Sequence, residues 1–250
     1  MRYFARLAYK GTHYFGWQRQ PNAISVQEVI EDALSTILRQ PTAVTGCGRT
    51  DTGVHAKDYY LHFDSKDKLP DSFCHRLNKL LPKDIAFYEL IEVDADAHAR
   101  YDATYRSYEY HIVGRKSPFT IDTAFYYYFL PQVDSERMQA AAQLLLDYED
   151  FFPFCKTNTD SKTMKCQLFQ STWEQKDEAG QHLVFHIAAN RFLRGMVRLI
   201  VGMCLNVGLG KTTLAEVQQA LEQQERLKRS WSVPPEGLYL NAITYPYIKP

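Results

Sequence analysis

The chain carries no excess of charge of either sign: 29 Lys and Arg balance 29 Asp and Glu over 250 residues. No global field draws it to a membrane surface or along a nucleic acid, so any polyanion must be held by a local basic patch. It lacks a C-x-x-C pair among its five cysteines, Cys47, Cys74, Cys155, Cys166 and Cys204. An odd number of thiols without metal spacing argues against a disulfide framework and for a reducing, cytoplasmic setting. No apolar run approaches the length of a membrane span. The opening Met1-Arg2-Tyr3-Phe4-Ala5-Arg6 sets charges inside its apolar stretch and offers no small-residue cleavage site, unlike a secretory leader. None of the eight histidines lies in H-E-x-x-H or zinc spacing, and no metal is expected. Low-complexity tracts and fixed-period repeats are missing as well. A soluble protein is expected, of one large or two small domains, with an ordinary apolar content of 45 %.

The patterning that is present reads as mixed α and β. Residues 2–9 alternate like a half-buried strand. Ser25 with Glu28 forms a capping-box signature, and apolar positions from Val26 to Leu38 recur at helical spacing, predicting a helix over 26–39. Strands are expected at 42–45, 59–63, 85–93, 106–113, 168–173, 182–188 and 238–244. Further helices are expected at 72–81, 135–146, 191–207 and 214–227. Several connections are too short for parallel crossovers, which favours α+β over a doubly wound sheet. The succession of strand, helix, strands, helix and strands runs twice, and an aromatic stretch from Gly114 to Pro131 joins the two runs. The expected division is therefore 1–113 and 114–250.

One stretch imitates a phosphate-binding loop. Gly210-Lys211-Thr212-Thr213 lacks the glycine five residues earlier, where Leu205 stands, and it follows a long helix instead of a strand. A helix C-cap followed by a Thr213 N-cap explains it better, and no nucleotide cofactor is expected.

Three features carry chemistry. Gly48-Arg49-Thr50-Asp51-Thr52-Gly53-Val54-His55 sets a carboxylate on a glycine-rich loop with a guanidinium two residues away. Glycines 46, 48 and 53 would let the backbone take positive φ and approach a ligand closely. An ionised, outward-aimed carboxylate is what a carboxylate nucleophile requires; the plainer reading is a turn cap with a surface ion pair. Next, Arg191, Arg194 and Arg198 recur three and four residues apart, which would align them on one face of an otherwise apolar helix. Residues 190–230 hold seven Lys/Arg against three Asp/Glu. Such a stripe is either a solvated face or a partner for a phosphate or a carboxylate, Asp51 among them. Last, Tyr108 in Arg106-Ser107-Tyr108-Glu109-Tyr110 is either core or a ring that stacks on an unpaired base.

Taken together these residues resemble a known family. Tyr-x-Gly-Thr-x-Tyr-x-Gly-Trp-Gln at 9–18, Ser-Val-Gln at 25–27 and Gly-Arg-Thr-Asp-x-Gly-Val-His at 48–55 occur in order. His-Ala-Arg-Tyr at 98–101, Arg-x-Tyr-x-Tyr at 106–110, Asn-Arg-Phe-Leu-x-x-Met-Val-Arg at 190–198 and Glu-Gly-Leu-Tyr-Leu at 236–240 complete the series. The ordered set is similar to the tRNA pseudouridine synthase A family, which isomerises uridines 38, 39 and 40 of the anticodon arm. The likeness spans nearly the whole chain. It implies Asp51 as nucleophile, Arg49 as the residue that helps extrude the target base, and Tyr108 as the ring packed on uracil. Arg198 would be the basic partner of the aspartate, and Leu240 (less readily Leu238) would close the pocket. Arg191, Arg194, Lys57, Trp17 and Gln18 are candidate RNA contacts. The implied fold is two ferredoxin-like halves sharing a continuous, mainly antiparallel sheet flanked by helices, with the catalytic cleft between the halves. The implied enzyme is a cofactor-free, metal-free homodimer acting on tRNA. Two rival readings stand beside it: a non-catalytic RRM-like RNA-binding module, and an Asp51 glycosidase with Asp58 as its second carboxylate.

Overall fold

A computed structural model describes residues 1–156 and 162–248. The chain divides into two compact units, Met1–Thr104 with Tyr239–Pro250, and Tyr105–Leu238.

In the first unit β1 (Arg2–Tyr9), α1 (Val26–Leu38), β2 (Thr45–Gly46), β3 (His55–Asp64), α2 (Phe73–Asn78) and β4 (Ile85–Val93) follow one another. The strands lie in the order β4-β1-β3, with β2 on the other side of β3, and all these pairings are antiparallel. That is the ferredoxin-like arrangement. α1 begins where Ser25 Oγ accepts from Glu28 N at 3.2 Å. The reciprocal arm of the expected box is missing, because the Glu28 carboxylate sits 3.6 Å from Arg19 instead. Val26, Ile30, Ala33 and Leu34 form the buried stripe, and the helix stops at Arg39 in the left-handed region. A cap of this kind contributes about 1 kcal/mol.

β3 is twice the expected length. Tyr59 to Phe63 is buried on both faces, and its early residues His55 and Ala56 pair in parallel with Tyr239 and Leu240 of the last strand, β9 (Leu238–Thr244). α2 is shorter than its periodicity suggests. Asn78 at its end clamps β4, donating to Phe87 O at 2.7 Å and accepting from Phe87 N at 2.8 Å.

The second unit holds β5 (Tyr105–Val113), β6 (Phe125–Tyr126), α3 (Ser135–Leu144), β7 (Leu168–Gln175), β8 (His182–Ala189), α4 (Met196–Gly208) and α5 (Leu214–Gln223). β5, β8 and β7 are neighbours in that order, antiparallel throughout, and β6 adds a short parallel pairing to β5. This repeats the β1-β3-β2 arrangement of the first unit. α3 packs on α4 and β7. Asp134 caps α3 by accepting from Glu136 N and Arg137 N, while Thr213 and Glu216 form a complete capping box on α5. The phosphate-loop imitation is thus a turn between two helices. The fold class is α+β, as expected. The unit boundaries differ from 113/114, because β5 pairs with β8 from Arg106 to Val113 and the last strand joins β3. Among the described residues no helix is long and apolar enough to cross a membrane.

Candidate active site

The first unit presents the Asp51 loop between β2 and β3. Asp51 is half-buried, Thr50 is buried and Arg49 is exposed. Asp51 O accepts from Val54 N at 3.2 Å, closing a four-residue turn whose third member is Gly53 at φ +77°. Glycine is needed there because side chains crowd that conformation. The other two glycines act differently. Gly46 has ordinary φ, but an added Cβ would fall 2.1 Å from the Tyr59 hydroxyl and 2.6 Å from the Trp17 ring. A Cβ on Gly48 would meet nothing within 4 Å. The expectation of positive φ at all three therefore holds at Gly53 alone.

The aromatic loop at 14–18 wraps this turn. Trp17 N donates to Thr50 O at 3.2 Å and Gly53 N donates to Tyr14 O at 3.3 Å. Gly16, at φ +85°, permits that approach: a Cβ would come 2.5 Å from Thr50 O. Trp17 itself is 3 % exposed, with its ring 4.2 Å from that of Tyr59. A ring so covered supports the loop from below and presents no face to a stacked base, which corrects its assignment as an RNA contact. Gln18 is exposed, as is Lys57, whose Nζ lies 5.0 Å over the Tyr239 ring. His55 accepts from Gly11 N through Nδ1 at 3.0 Å and packs on Tyr239, so it is structural. Leu240 is 2 % exposed and sits in register with Ala56, just past the loop. Asp58 lies 2.7 Å from Arg6 Nε.

Two hydroxyls that sequence reasoning missed complete this part. Tyr59 donates to Gly48 O at 2.5 Å, and the Tyr9 hydroxyl lies 2.8 Å from Thr50 Oγ1. Tyr9 opens the first family motif, the only signal that could have marked it. Tyr59 carries none.

In the second unit Tyr108 is half-buried on β5, opposite Ile187, and meets the Phe192 ring edge-on at 5.0 Å. The Arg198 guanidinium is fixed through Nε to Val233 O at 2.6 Å. Every residue of α4 except Arg198 is buried. Glu236 lies within its electrostatic reach: burial pushes that carboxyl up, and Arg198 pulls it back. Arg191 and Arg194 do not share a helical face with Arg198. Gly195 at φ +72° stands immediately before the helix, so the two earlier arginines belong to a non-helical approach, Arg194 exposed and Arg191 half-buried. Among the described residues, no three His, Cys, Asp or Glu side chains are grouped to hold a metal ion.

A carboxylate on a turn held by backbone bonds, two residues from an exposed guanidinium, suits attack on or proton removal from a ligand held against the loop. The comparisons narrow this. The family model described as tRNA pseudouridine synthase matches residues 5–102 and 141–246. A Porphyromonas gingivalis protein named tRNA pseudouridine synthase A is 46 % identical, with 98 % of this chain and 97 % of that protein covered. The Bacteroides fragilis protein of the same name is 46 % identical over 98 % of this chain and 96 % of its own length. One from Caldicellulosiruptor bescii is 35 % identical, covering 96 % and 97 %. With one matched block holding the Asp51 turn and the other holding Arg198, and relatives aligned over nearly the whole chain, this chain belongs to the tRNA pseudouridine synthase family.

Proposed function

We propose that the chain isomerises uridine to pseudouridine in tRNA, at positions 38, 39 and 40 of the anticodon arm, as a cytoplasmic homodimer. The single observation that supports the chemistry best is the Asp51 turn: a carboxylate held by backbone bonds two residues from an exposed arginine. The reaction breaks the C1′–N1 bond, forms C1′–C5, takes a proton from C5 and returns one to N1. It is redox-neutral, and the residues present supply what it needs without a cofactor.

A stacked uridine must first leave the helix, at roughly a few kcal/mol. Arg49 takes the vacated space, and Arg191, Arg194, Lys57 and Gln18 hold the backbone. Asp51 then starts glycosidic cleavage, as a nucleophile or as a base on the sugar. Tyr108 packs on the uracil as it turns, Arg198 supplies the countercharge, and Leu240 gives an apolar wall. The glycosidase reading is disfavoured because Asp58, its proposed second carboxylate, is paired with Arg6. An RRM-like binding module would not need the Asp51 turn.

The test is incubation of an undermodified tRNA with the enzyme, mapping pseudouridine and following tritium release from 5-tritiated uridine. Asp51→Asn abolishes release while tRNA binding persists. Turnover in that variant, or free uracil among the products, overturns the proposal.

A further inference from the structure

We infer that two buried phenols, Tyr9 and Tyr59, are positioning residues that hold the Asp51 loop in its working geometry without touching substrate. The inference rests on the reading of Asp51 as the reacting carboxylate.

Tyr59, on β3, donates to the carbonyl of Gly48 at 2.5 Å, and Tyr9, at the end of β1, shares a 2.8 Å hydrogen bond with Thr50 Oγ1. These bonds fall on the residues immediately before and after Arg49. The backbone on both sides of that arginine is thereby tied to the core strands. Thr50 is held a second time, since its carbonyl accepts from Trp17 N at 3.2 Å, and Asp51 follows it directly. The three rings form one cluster: Trp17 stacks 4.2 Å from Tyr59, and Tyr9 lies edge-on 5.4 Å from Tyr59 and 6.1 Å from Trp17.

A bare ring would fill this core equally well. Tyr59 is fully buried and Tyr9 nearly so, and burying a hydroxyl is unfavourable unless it is bonded. The oxygens persist because the loop satisfies them. Burial pushes the Tyr59 phenol well above its ordinary value, so it stays protonated and keeps donating across the working pH range. The missing side chain at Gly46 reserves the space its oxygen occupies. A turn containing Gly48 and Gly53 is otherwise soft, and a misplacement of about 1 Å at a reacting group lowers turnover on the order of a hundredfold.

Tyr59→Phe and Tyr9→Phe test this, measured for kcat, tRNA Kd and thermal stability beside Asp51→Asn. Tyr245→Phe is the control: it removes another buried phenol of the same unit, one that donates to Ala99 O at 2.6 Å, away from the loop. The expected result is a kcat at least about tenfold lower in Tyr59→Phe and several-fold lower in Tyr9→Phe, with Kd within about twofold of the parent. Tyr245→Phe loses stability but keeps kcat. Wild-type kcat in both loop variants, or an equal kcat loss in the control, overturns the inference. Should Tyr59→Phe fail to fold, Tyr9→Phe decides alone. An active Asp51→Asn would instead remove the underlying reading, while an inactive one beside two fully active phenol variants removes only this inference.

Discussion

Arg198 and Val233 are joined twice: the Arg198 side chain donates through Nε to Val233 O at 2.6 Å, and Val233 N donates to the Arg198 backbone carbonyl at 3.3 Å. One guanidinium nitrogen is thus committed to orientation, on a helix whose other residues are all buried. Lysine has no Nε donor and no planar fork. Arg198→Lys is expected to lower kcat by about a hundredfold, the scale of losing one preorganised electrostatic donor. Stability should fall by only about 1–2 kcal/mol, since one buried carbonyl is left unsatisfied. Steady-state kinetics with tRNA and urea unfolding check the two halves.

Asp58 and Asp51 stand seven residues apart, Asp58 within β3 and Asp51 on the loop before it. Because Asp58 is paired with Arg6 at 2.7 Å, Asp58→Asn should leave pseudouridine formation within about threefold of the parent. Its stability should change by less than about 1 kcal/mol, as for other partly exposed ion pairs. Loss of turnover, measured by tritium release, would restore the two-carboxylate reading.

Gly46 and Gly48 look equivalent in sequence and are opposite in space. Gly46→Ala would drive a methyl to 2.1 Å from the Tyr59 hydroxyl and 2.6 Å from Trp17. Overpacking of that kind destabilises by about 1–3 kcal/mol, and here it should also lower kcat by displacing Tyr59. Gly48→Ala meets nothing within 4 Å and needs no positive φ. It should be neutral or slightly stabilising, by up to about 0.5–1 kcal/mol. Paired urea melts separate the two outcomes.

His62 is buried on β3, and its Nδ1 accepts from Ala99 N at 3.1 Å. Burial first, then the charges of Arg2 and His98, bring its pKa down to about 4 from 6.5. The unfolded chain therefore binds this proton at higher pH than the folded one. The contribution to stability is complete above pH 6.5, declines as pH falls toward 4, and levels off below. Between pH 7 and 4.5 a loss of about 2 kcal/mol is expected from this residue. His62→Asn, which keeps an acceptor but does not titrate, should flatten that part of the curve. Denaturant melts across this pH interval would show it.

Much of the frame was legible in the chain because its signals are local. The limits of β1, β4 and β9 follow from alternation and flanking turns, and α1 follows from Ser25 and its apolar stripe. Where a prediction strayed, a distant contact had intervened. β3 extends back to His55 because Tyr239 and Leu240 lie alongside it. The helix expected over 191–207 begins only at Met196, after a left-handed Gly195, so the arginine stripe dissolves although its spacing was sound. Trp17 reads as a candidate RNA contact in an aromatic loop, but Tyr59 stacks on it from a strand far along the chain.

From residue order alone came the candidate nucleophile, Asp51 two residues from Arg49 on a glycine-bearing turn, and the ordered motifs that mark the family. A catalytic group is a type of side chain at a given place, and this is written directly in one dimension. Three-dimensional packing alone decided how Asp51 is held, through hydroxyls from Tyr9 and Tyr59 that reach Thr50 and Gly48. Such support joins residues distant in the chain, and a phenol aimed at a loop looks the same in sequence as one that merely fills a core.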